Sequence, residues 1–426
     1  MQIFRVEGGR RLSGTVKVSG AKNSALKLMA ASLLARGETV LSNVPRIADV
    51  QTMADVLRHL GAEVSFEGEG MRIDTSGEIT THAPYELVRR MRASINVLGP
   101  LIGRFGHARV AMPGGCNIGS RNVDIHQSAL AQLGVSFHMD HGDLEGITDG
   151  LVGRRVILDF PSRGATENLL TAAVLAKGVT VIENAAREPD ITDLVRFLVA
   201  MGARIDGAGS STIRIEGVSE LVPAHYSVPS DPIETGTLAL AVAATGGRAE
   251  LIGARAKDLE IFLGKLRQTG AGWRSTPDGI EVTMNRAPLA VDFATLPFPG
   301  FPTDLQPQMV AYLAAAEGTS IVTENVFESR FLHVQELIRM GADIRTEGHH
   351  AVVRGVPRLQ GAPVRASDLR AGACLVIAAL SAEGVTDIHD IHHLQRGYEG
   401  LDAKIRSLGG SIELASTGQA MEWTRV

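Results

Sequence analysis

One pattern of apolar and polar residues recurs six times along this chain of 426 residues. In each copy an amphipathic run ends in a glycine, and a small residue and alternating strand-like residues follow it. The glycines lie 68 to 73 residues apart and are Gly61, Gly134, Gly202, Gly270, Gly341 and Gly409. The fourth copy departs slightly, because Thr269 stands where the others have an apolar residue before the glycine. This regular spacing indicates an internal structural repeat.

Each copy predicts a helix that ends in a left-handed glycine and is followed at once by a strand. A second, more apolar helix precedes most copies, and β-rich runs such as Val179-Thr180-Val181-Ile182 follow it. These second helices are predicted at 24–35, 167–176, 234–244, 304–316 and 371–382. The unit is therefore helix, strand, helix, strand, strand. Helices that are apolar on all sides are expected to be buried, with the sheets outside them.

The six copies divide into two sets of three, which predicts an α/β protein of two similar lobes. The midpoint falls at 221–232, where three prolines indicate a linker between domains. A cleft between two lobes is a usual place for a ligand, and its closure excludes water. We therefore expect a binding site between the lobes.

Composition narrows the class of protein. Hydrophobic residues make up 44% and charged residues 21% of the chain, which is ordinary for a soluble globular protein. Aromatic residues are few, at 4%, and the net charge is −5, so a nucleic-acid partner is not expected. Neither a signal peptide nor a membrane span is recognisable. Two cysteines form no disulfide framework, and we expect a cytoplasmic protein.

Cys116 is the first candidate for chemistry. It lies in the glycine-rich stretch Pro113-Gly114-Gly115-Cys116-Asn117-Ile118-Gly119-Ser120-Arg121. The guanidinium of Arg121 favours the thiolate and can bind an anion. The alternative from the residues alone is an unreactive loop thiol. Cys374, inside an apolar helical run, fits the description of a structural cysteine.

A second candidate is Ser19-Gly20-Ala21-Lys22-Asn23-Ser24, which leads directly into a helix. A glycine turn, a lysine and a helix N-terminus can together bind phosphate, although the spacing is not that of a Walker A loop. The alternative is ordinary capping by Asn23 or Ser24 with Lys22 exposed.

Further charged residues lie at the starts of predicted helices. Arg92, Arg370 and Arg396 can present guanidinium groups to phosphate or carboxylate, although a solvated helix turn also explains Arg92. Asp304 is either a helix N-cap or a general base. The adjacent histidines at 349–350 and 392–393 lack further ligands and are weak candidates for a metal site. One cysteine, one aspartate, one lysine and several arginines suit transfer chemistry on a multiply anionic small molecule.

The whole chain resembles the UDP-N-acetylglucosamine 1-carboxyvinyltransferases, the enolpyruvyl transferases of the first committed step of peptidoglycan synthesis. The motifs that carry the resemblance are Gly20-Ala21-Lys22-Asn23-Ser24, Met91-Arg92-Ala93-Ser94, Gly114-Gly115-Cys116, Gly164-Ala165-Thr166-Glu167-Asn168, Glu183-Asn184-Ala185-Ala186-Arg187-Glu188-Pro189, Phe301-Pro302-Thr303-Asp304, Glu324-Asn325-Val326-Phe327-Glu328 and Arg396-Gly397-Tyr398-Glu399. The family fold consists of two inside-out α/β barrel domains with three repeats each. The resemblance implies a domain at 22–229 that carries the Cys116 loop, a domain at 1–21 and 230–426, and an active site in the cleft between them.

The resemblance also implies roles for individual residues around phosphoenolpyruvate. Lys22, Arg121 and Arg396 would surround its phosphate, with Arg92 and Arg370 near the reacting groups. Cys116, on a lid loop, would act as general acid and covalent partner and would be the target of the epoxide antibiotic fosfomycin. Asp304 would accept the proton of the sugar 3-hydroxyl.

For the nucleotide sugar, the resemblance implies contacts along its whole length. Asn23 would hold the sugar, Val326 would form the wall of its pocket, and Asp368 is a further candidate for substrate binding. The uracil end would lie against Arg121, Asp124, Ile125 and the segment 160–164. No metal or organic cofactor is implied, and the expected partners are the two small-molecule substrates of a monomer.

Three positions depart from the family pattern. Asn122 replaces a usual proline, Gln395 a common aspartate and Pro232 a frequent arginine. These departures leave open a paralogue that acts on another uridine nucleotide, such as UMP in nucleoside-antibiotic synthesis. A catalytically idle homologue that binds nucleotide sugar as a regulator is a further alternative. The cysteine loop and the run at 184–189 argue against the shikimate-pathway relative.

Overall fold

The computed structural model describes residues 2–112 and 123–416. Within them the chain forms two compact units. Unit I comprises residues 19–112 and 123–229, and unit II comprises residues 2–18 and 230–416. Among the helices of these residues, none has both the length and the apolar character needed to cross a membrane.

The described residues contain 24 strands. They are β1 (Gln2–Glu7), β2 (Ser13–Lys17), β3 (Glu38–Ser42), β4 (Glu63–Glu67), β5 (Gly70–Asp74), β6 (His82–Ala83), β7 (His107–Ala111), β8 (Ser136–Asp140), β9 (Asp143–Ile147), β10 (Arg155–Ile157), β11 (Val179–Glu183), β12 (Arg204–Asp206), β13 (Thr212–Glu216), β14 (His225–Ser227), β15 (Arg248–Ile252), β16 (Gly272–Ser275), β17 (Gly279–Thr283), β18 (Phe293–Thr295), β19 (Thr319–Glu324), β20 (Asp343–Glu347), β21 (His350–Arg354), β22 (Val364–Arg365), β23 (Val385–His389) and β24 (Ser411–Ser416).

The same residues contain 14 α-helices. They are α1 (Lys22–Ala31), α2 (Ala48–His59), α3 (Tyr85–Val88), α4 (Leu98–Phe105), α5 (Asp124–Ala131), α6 (Arg163–Ala173), α7 (Pro189–Ala200), α8 (Pro232–Ala244), α9 (Glu260–Gln268), α10 (Gln306–Leu313), α11 (Val334–Arg339), α12 (Leu369–Ser381), α13 (His392–Gln395) and α14 (Leu401–Ser407). Short 3₁₀ helices cover Ser32–Leu34, Arg92–Val97, Ala256–Asp258 and Thr303–Leu305.

All six sheets are separate, four-stranded and of one topology. In each order given below, the first strand runs parallel to its neighbour. The third strand in the order runs antiparallel to both of its neighbours. The orders are β14-β3-β5-β4, β6-β7-β9-β8 and β10-β11-β13-β12 in unit I, and β2-β15-β17-β16, β18-β19-β21-β20 and β22-β23-β1-β24 in unit II. The predicted order of helix, strand, helix, strand, strand is confirmed in five repeats, and in the sixth β1 takes the place of the last strand.

The six repeat glycines all have a left-handed backbone, with φ between +89° and +106°. Glycine adopts this conformation without the steric cost that a Cβ brings. In the first repeat the Ala62 N–H donates to the Leu57 carbonyl at 3.0 Å and closes the helix end. Thr269 is fully buried in the apolar position of the fourth repeat. Its hydroxyl donates to the Leu266 carbonyl at 2.7 Å, so the departure leaves no unsatisfied proton.

The apolar helices form the interior of each unit, as predicted. In α8 every residue from 233 to 243 is buried, and in α12 every residue from 370 to 380. Helices α8, α10 and α12 pack against one another within unit II. Several of these helices begin before their predicted starts, because Ser162, Asp231 and Asp368 act as N-caps. Helix α10 begins later, at Gln306, after a 3₁₀ turn.

The N-terminal strands belong to unit II. Strand β1 takes the third position across the last sheet, between β23 and β24. Strand β2 runs parallel to β15 and opens the fourth sheet. In unit I the opening strand of the first sheet is likewise distant in sequence, because β14 pairs with β3.

Candidate active site

The start of α1 carries the first group of predicted site residues. Lys22 is the first residue of the helix, and its ammonium lies 2.7 Å from the Asp49 carboxylate. The N-cap residue is Ala21, so Asn23 and Ser24 lie inside the helix and do not cap it. Only 12% of the Lys22 side chain is exposed. The interpretation of this segment as an ordinary cap with an exposed lysine is therefore wrong.

A buried ionic cluster anchors α1 below this point. Lys27 forms ion pairs with Glu167, at 2.8 Å, and with Asp190, which also binds Arg163. Burial lowers the pKa of Lys27 to about 8, against the opposing effect of Glu167. Ser24 adds a hydrogen bond of 2.9 Å to Asp193. The cluster ties α1 to α6 and α7, which fixes the helix that carries Lys22 and Asn23.

Three helices of unit I meet at Asn168. Its amide oxygen accepts from the Gly99 N–H at 2.8 Å, which leaves its amide nitrogen to donate to His126 Nδ1 at 2.9 Å. His126 is therefore neutral, with its proton on Nε2. Burial, helped by the positive charge of Arg92, lowers the pKa of His126 to about 4. This contact sets the position of α5, whose first two residues are Asp124 and Ile125.

Asp124 and Ile125 line a cavity of about 110 Å³ between α5 and the end of β10. Its other lining residues are Ser128, Ala129, Gln132, Ile157, Leu158 and Asp159. The cavity places two of the predicted uracil contacts beside each other. The predicted segment 160–164 follows the lining residues directly along the chain and does not itself line the cavity. Arg92 begins the 3₁₀ helix Arg92–Val97 and is partly exposed.

Asp304 in unit II is held by two arginines. It lies inside the 3₁₀ turn Thr303–Leu305, whose N-cap is Pro302, so the interpretation of Asp304 as an N-cap is wrong. Its Oδ1 accepts from Arg330 at 2.8 Å and its Oδ2 from Arg370 at 2.9 Å. The side chains of the arginines are 3% and 6% exposed, whereas that of Asp304 is 23% exposed. The carboxylate is therefore oriented by buried cations and remains accessible at its edge.

The charge of Arg370 is permanent in this setting. Burial is the largest single effect and lowers its pKa, but Asp304, together with Tyr398 and Asp231, outweighs burial and raises the pKa above the ordinary value for arginine. Asp368 caps the same helix, because its Oδ1 accepts from the N–H groups of Arg370 and Ala371 at 2.8 and 3.1 Å. A predicted substrate ligand thus has a structural task as well.

The other predicted residues of unit II lie at the ends of elements. Val326 follows β19 and is half-buried, and its N–H donates to Glu324 Oε1 at 2.9 Å. Arg396 ends α13 as its C-cap residue and is half-buried. Cys116 and Arg121 lie outside the described residues.

One departure from the family pattern has a structural explanation. Pro232 is the first residue of α8, a position that suits its fixed φ and missing N–H. Asp231 caps the helix, accepting from Ile233 and Glu234 at 2.7 and 3.1 Å. Gln395 is exposed at the end of α13, and Asn122 lies outside the described residues.

Sequence reasoning missed Arg330 and the role of Tyr398. Arg330 follows the motif at 324–328 by two residues and is buried, although arginine is usually exposed. Tyr398 stands inside the motif Arg396-Gly397-Tyr398-Glu399, and its hydroxyl contacts Arg370 at 3.2 Å. The motif was the only available signal, because neither contact is encoded by local spacing.

Comparison with known proteins identifies the class. A profile of the EPSP synthase (3-phosphoshikimate 1-carboxyvinyltransferase) family matches residues 6–405. The chain belongs to this family of enolpyruvyl transferases.

Particular relatives lie closer in sequence. A protein of Corynebacterium jeikeium (strain K411), named UDP-N-acetylglucosamine 1-carboxyvinyltransferase, is 53% identical over 410 residues, which cover 96% of this chain and 98% of the relative. A protein of the same name from Trichlorobacter lovleyi is 48% identical over 417 residues, covering 98% of this chain and 100% of the relative. The resemblance seen in the motifs is confirmed.

Solved structures confirm the fold class. The enolpyruvyl transferase NikO from Streptomyces tendae superposes with a TM-score of 0.86 at 27% identity, over 98% of this chain and 99% of NikO. EPSP synthase from Acinetobacter baumannii superposes with a TM-score of 0.76 at 17% identity, over 98% and 100% of the two chains. The latter likeness concerns the fold alone.

Proposed function

We propose that this enzyme transfers the enolpyruvyl group of phosphoenolpyruvate to the 3-hydroxyl of UDP-N-acetylglucosamine and releases phosphate. This is the first committed step of peptidoglycan synthesis. The observation that carries the proposal is 53% identity, over nearly the full length of both chains, to a protein named for this reaction. NikO, at 27% identity, is a more distant relative in sequence.

The chemistry requires two proton transfers in the addition and one in the elimination. The sugar oxygen bonds to C2 of phosphoenolpyruvate, while its own proton leaves and another proton joins C3 to form a methyl group. Elimination then removes one proton from the C3 methyl group, forms the C2–C3 double bond again and breaks the bond from C2 to the phosphate oxygen, so that phosphate leaves. Each acid or base step contributes about 10²- to 10⁴-fold to the rate.

We assign the acceptance of the hydroxyl proton to Asp304. Its exposed edge can reach a substrate, while Arg330 and Arg370 keep both oxygens from rotating. A fixed base avoids reorganisation during the reaction. Cys116 is the proposed general acid for C3 and the covalent partner of phosphoenolpyruvate.

The proposed anion contacts come from both units. Lys22 and Arg92 belong to unit I, Arg370 and Arg396 belong to unit II, and Arg121 lies outside the described residues. Guanidinium and ammonium groups stabilise the departing phosphate as its charge develops. The assignment of these five cations to one active site is part of the proposal.

Asn23, Val326 and Asp368 are the proposed sugar contacts. Asp124 and Ile125 are the proposed uracil contacts, which the cavity of about 110 Å³ that they line supports. We also propose that the enzyme is cytoplasmic and that it works as a monomer. Sedimentation of the purified protein tests the oligomeric state.

A substrate panel with phosphate detection tests the function. Wild-type enzyme and phosphoenolpyruvate are combined with UDP-N-acetylglucosamine, with UMP or with no acceptor. Release of phosphate in the presence of UDP-N-acetylglucosamine, but not with UMP or without an acceptor, supports the proposal. Turnover with UMP and not with the sugar nucleotide selects the specialised paralogue. Tight binding of the sugar nucleotide without turnover selects an idle homologue.

A further inference from the structure

Tyr398 joins the three buried helices of unit II. Its hydroxyl lies 2.9 Å from Thr237 Oγ1 on α8, 3.2 Å from Gln308 Nε2 on α10 and 3.2 Å from Arg370 Nη1 on α12. All four side chains are at least 95% buried. The contact with Arg370 is the one that leads toward the proposed active site.

The donors and acceptors of this cluster can be assigned one by one. The Thr237 hydroxyl donates its only proton to the Ile233 carbonyl at 2.8 Å, so it accepts from Tyr398. The phenol then has two lone pairs left, and these accept from Arg370 and Gln308. Burial raises the pKa of Tyr398, which keeps the phenol neutral. Every hydrogen-bonding site of the phenol oxygen is therefore used.

Arg370 has different partners on its two terminal nitrogens. Nη1 donates to Tyr398 and Nη2 to Asp304 Oδ2, at 2.9 Å. A guanidinium group is planar and rigid, so fixing one nitrogen fixes the direction of the other. The orientation of the phenol thus determines the direction from which Arg370 approaches the carboxylate.

We propose that Tyr398 is a positioning residue, which sets the guanidinium plane of Arg370 and through it the carboxylate of Asp304. The proposal rests on the proposed function of Asp304 as the proton acceptor. Removing the phenol oxygen leaves Arg370 Nη1 without this acceptor and allows the guanidinium to turn. Misplacement of a reacting group by about 1 Å can cost about 10²-fold in rate.

The chain offers a matched control in the same unit. The Tyr312 hydroxyl lies 2.9 Å from Thr269 Oγ1, and Thr269 donates its own proton to a helix carbonyl, as Thr237 does. Tyr312 is also buried. Tyr312→Phe therefore removes a buried bond from tyrosine to threonine of the same length and chemistry as the one at Tyr398.

The first test compares Tyr398→Phe with Tyr312→Phe in steady-state turnover and thermal unfolding. We expect Tyr398→Phe to lower kcat about 10- to 100-fold, with KM for the sugar nucleotide within about twofold of wild type. We expect Tyr312→Phe to keep kcat within about twofold. Equal losses in both variants, or full kcat in Tyr398→Phe, would overturn the proposal.

A second test asks whether Tyr398 acts through Asp304. In an Asp304→Asn background, Tyr398→Phe should slow the residual turnover by less than about twofold, because the group that it positions is gone. A full additional loss in the double variant would contradict the proposal.

The crystal structure of Tyr398→Phe provides a readout that needs no activity. A turned Arg370 guanidinium supports the positioning role, and an unchanged pair of Arg370 and Asp304 contradicts it. Wild-type enzyme that fails to turn over the sugar nucleotide refutes the proposed function instead, and the crystallographic result stands apart from that failure.

Discussion

At the scale of single residues, a substitution at Asp304, the carboxylate held by two arginines, can distinguish base catalysis from substrate binding. Asp304→Asn keeps the shape and can still accept from Arg370, but a neutral amide cannot take up the hydroxyl proton. We expect turnover to fall by more than about 10²-fold while calorimetric binding of the nucleotide sugar stays within about threefold. A variant that works near the full rate would remove Asp304 from the mechanism.

The two cysteines provide a matched pair for chemical modification. Cys374 is fully buried, and burial raises the pKa of its thiol well above the ordinary value, so it is inert. As the family resemblance implies, Cys116→Ser should abolish alkylation by fosfomycin and severely slow turnover. Cys374→Ser should leave one alkylated site, measured by intact mass. Alkylation that persists in Cys116→Ser would refute the assignment of Cys116.

Residue types could be predicted where motifs named them, but their partners could not. Asp304 stood out at a helix start, whereas Arg330 and Arg370 reach it from 26 and 66 residues away. Such contacts depend on how the repeats pack. The N-cap alternative for Asp304 failed for a local reason, since the 3₁₀ turn begins before the aspartate.

At the scale of elements, Asn168 joins α4, α5 and α6. Asn168→Ala removes the acceptor of the Gly99 N–H and the donor to His126, and a lost buried partner costs about 1–3 kcal/mol. We expect the free energy of unfolding to fall by about 2–4 kcal/mol in urea denaturation. Gln51→Ala, on the exposed surface of α2, serves as the control and should change it by less than about 0.5 kcal/mol. A similar loss in both would refute the anchoring role.

Helix ends were the most predictable feature of the elements. The six repeat glycines carry their conformation in their identity, since a left-handed residue after a helix favours glycine. Starts were less predictable, because caps such as Ser162 and Asp231 lie outside the apolar pattern. The Lys22 segment differed most from the interpretation as an ordinary helix cap with an exposed lysine, because the Lys22 ammonium forms an ion pair with Asp49 on another helix.

At the scale of the whole molecule, each unit contains a buried histidine with a depressed pKa. Burial lowers the pKa of His126 in unit I and of His333 in unit II to about 4. Since the unfolded side chains titrate near 6.5, the unfolded chain takes up protons first as the pH falls. The stability that the folded protein gains from keeping these histidines neutral is therefore complete above about pH 6.5, and it is lost progressively as the pH falls toward 4.

We expect each of these histidines to cost about 2 kcal/mol of unfolding free energy between pH 7.5 and pH 5. Urea denaturation at the two pH values measures the loss. His126→Asn should reduce the difference, whereas His59→Asn, on an exposed position, should not. An unchanged pH dependence in His126→Asn would show that this imidazole is not the cause.

The repeat count predicted two lobes of three units because the pattern of apolar residues is local. The path of the chain between them was not in that pattern. Pairing of β1 with β24 joins positions such as Gln2 and Ser416, whereas the family resemblance indicated only that residues 1–21 belong to the second domain. The pattern could not show this pairing, because the last repeat supplies β23 and β24 but not the strand between them, which comes from a distant part of the chain.

The pairing of β1 also sets an order of events during synthesis. Strands β1 and β2 have their partners in β15, β23 and β24, which are translated after the whole of unit I. Unit I contains all the strands of its own sheets and can fold while the rest of the chain is being made. Strands β1 and β2 therefore wait for their native neighbours until unit I has been made, and the apolar residues Ile3, Phe4 and Val6, which are buried in the folded protein, are without that cover in the meantime.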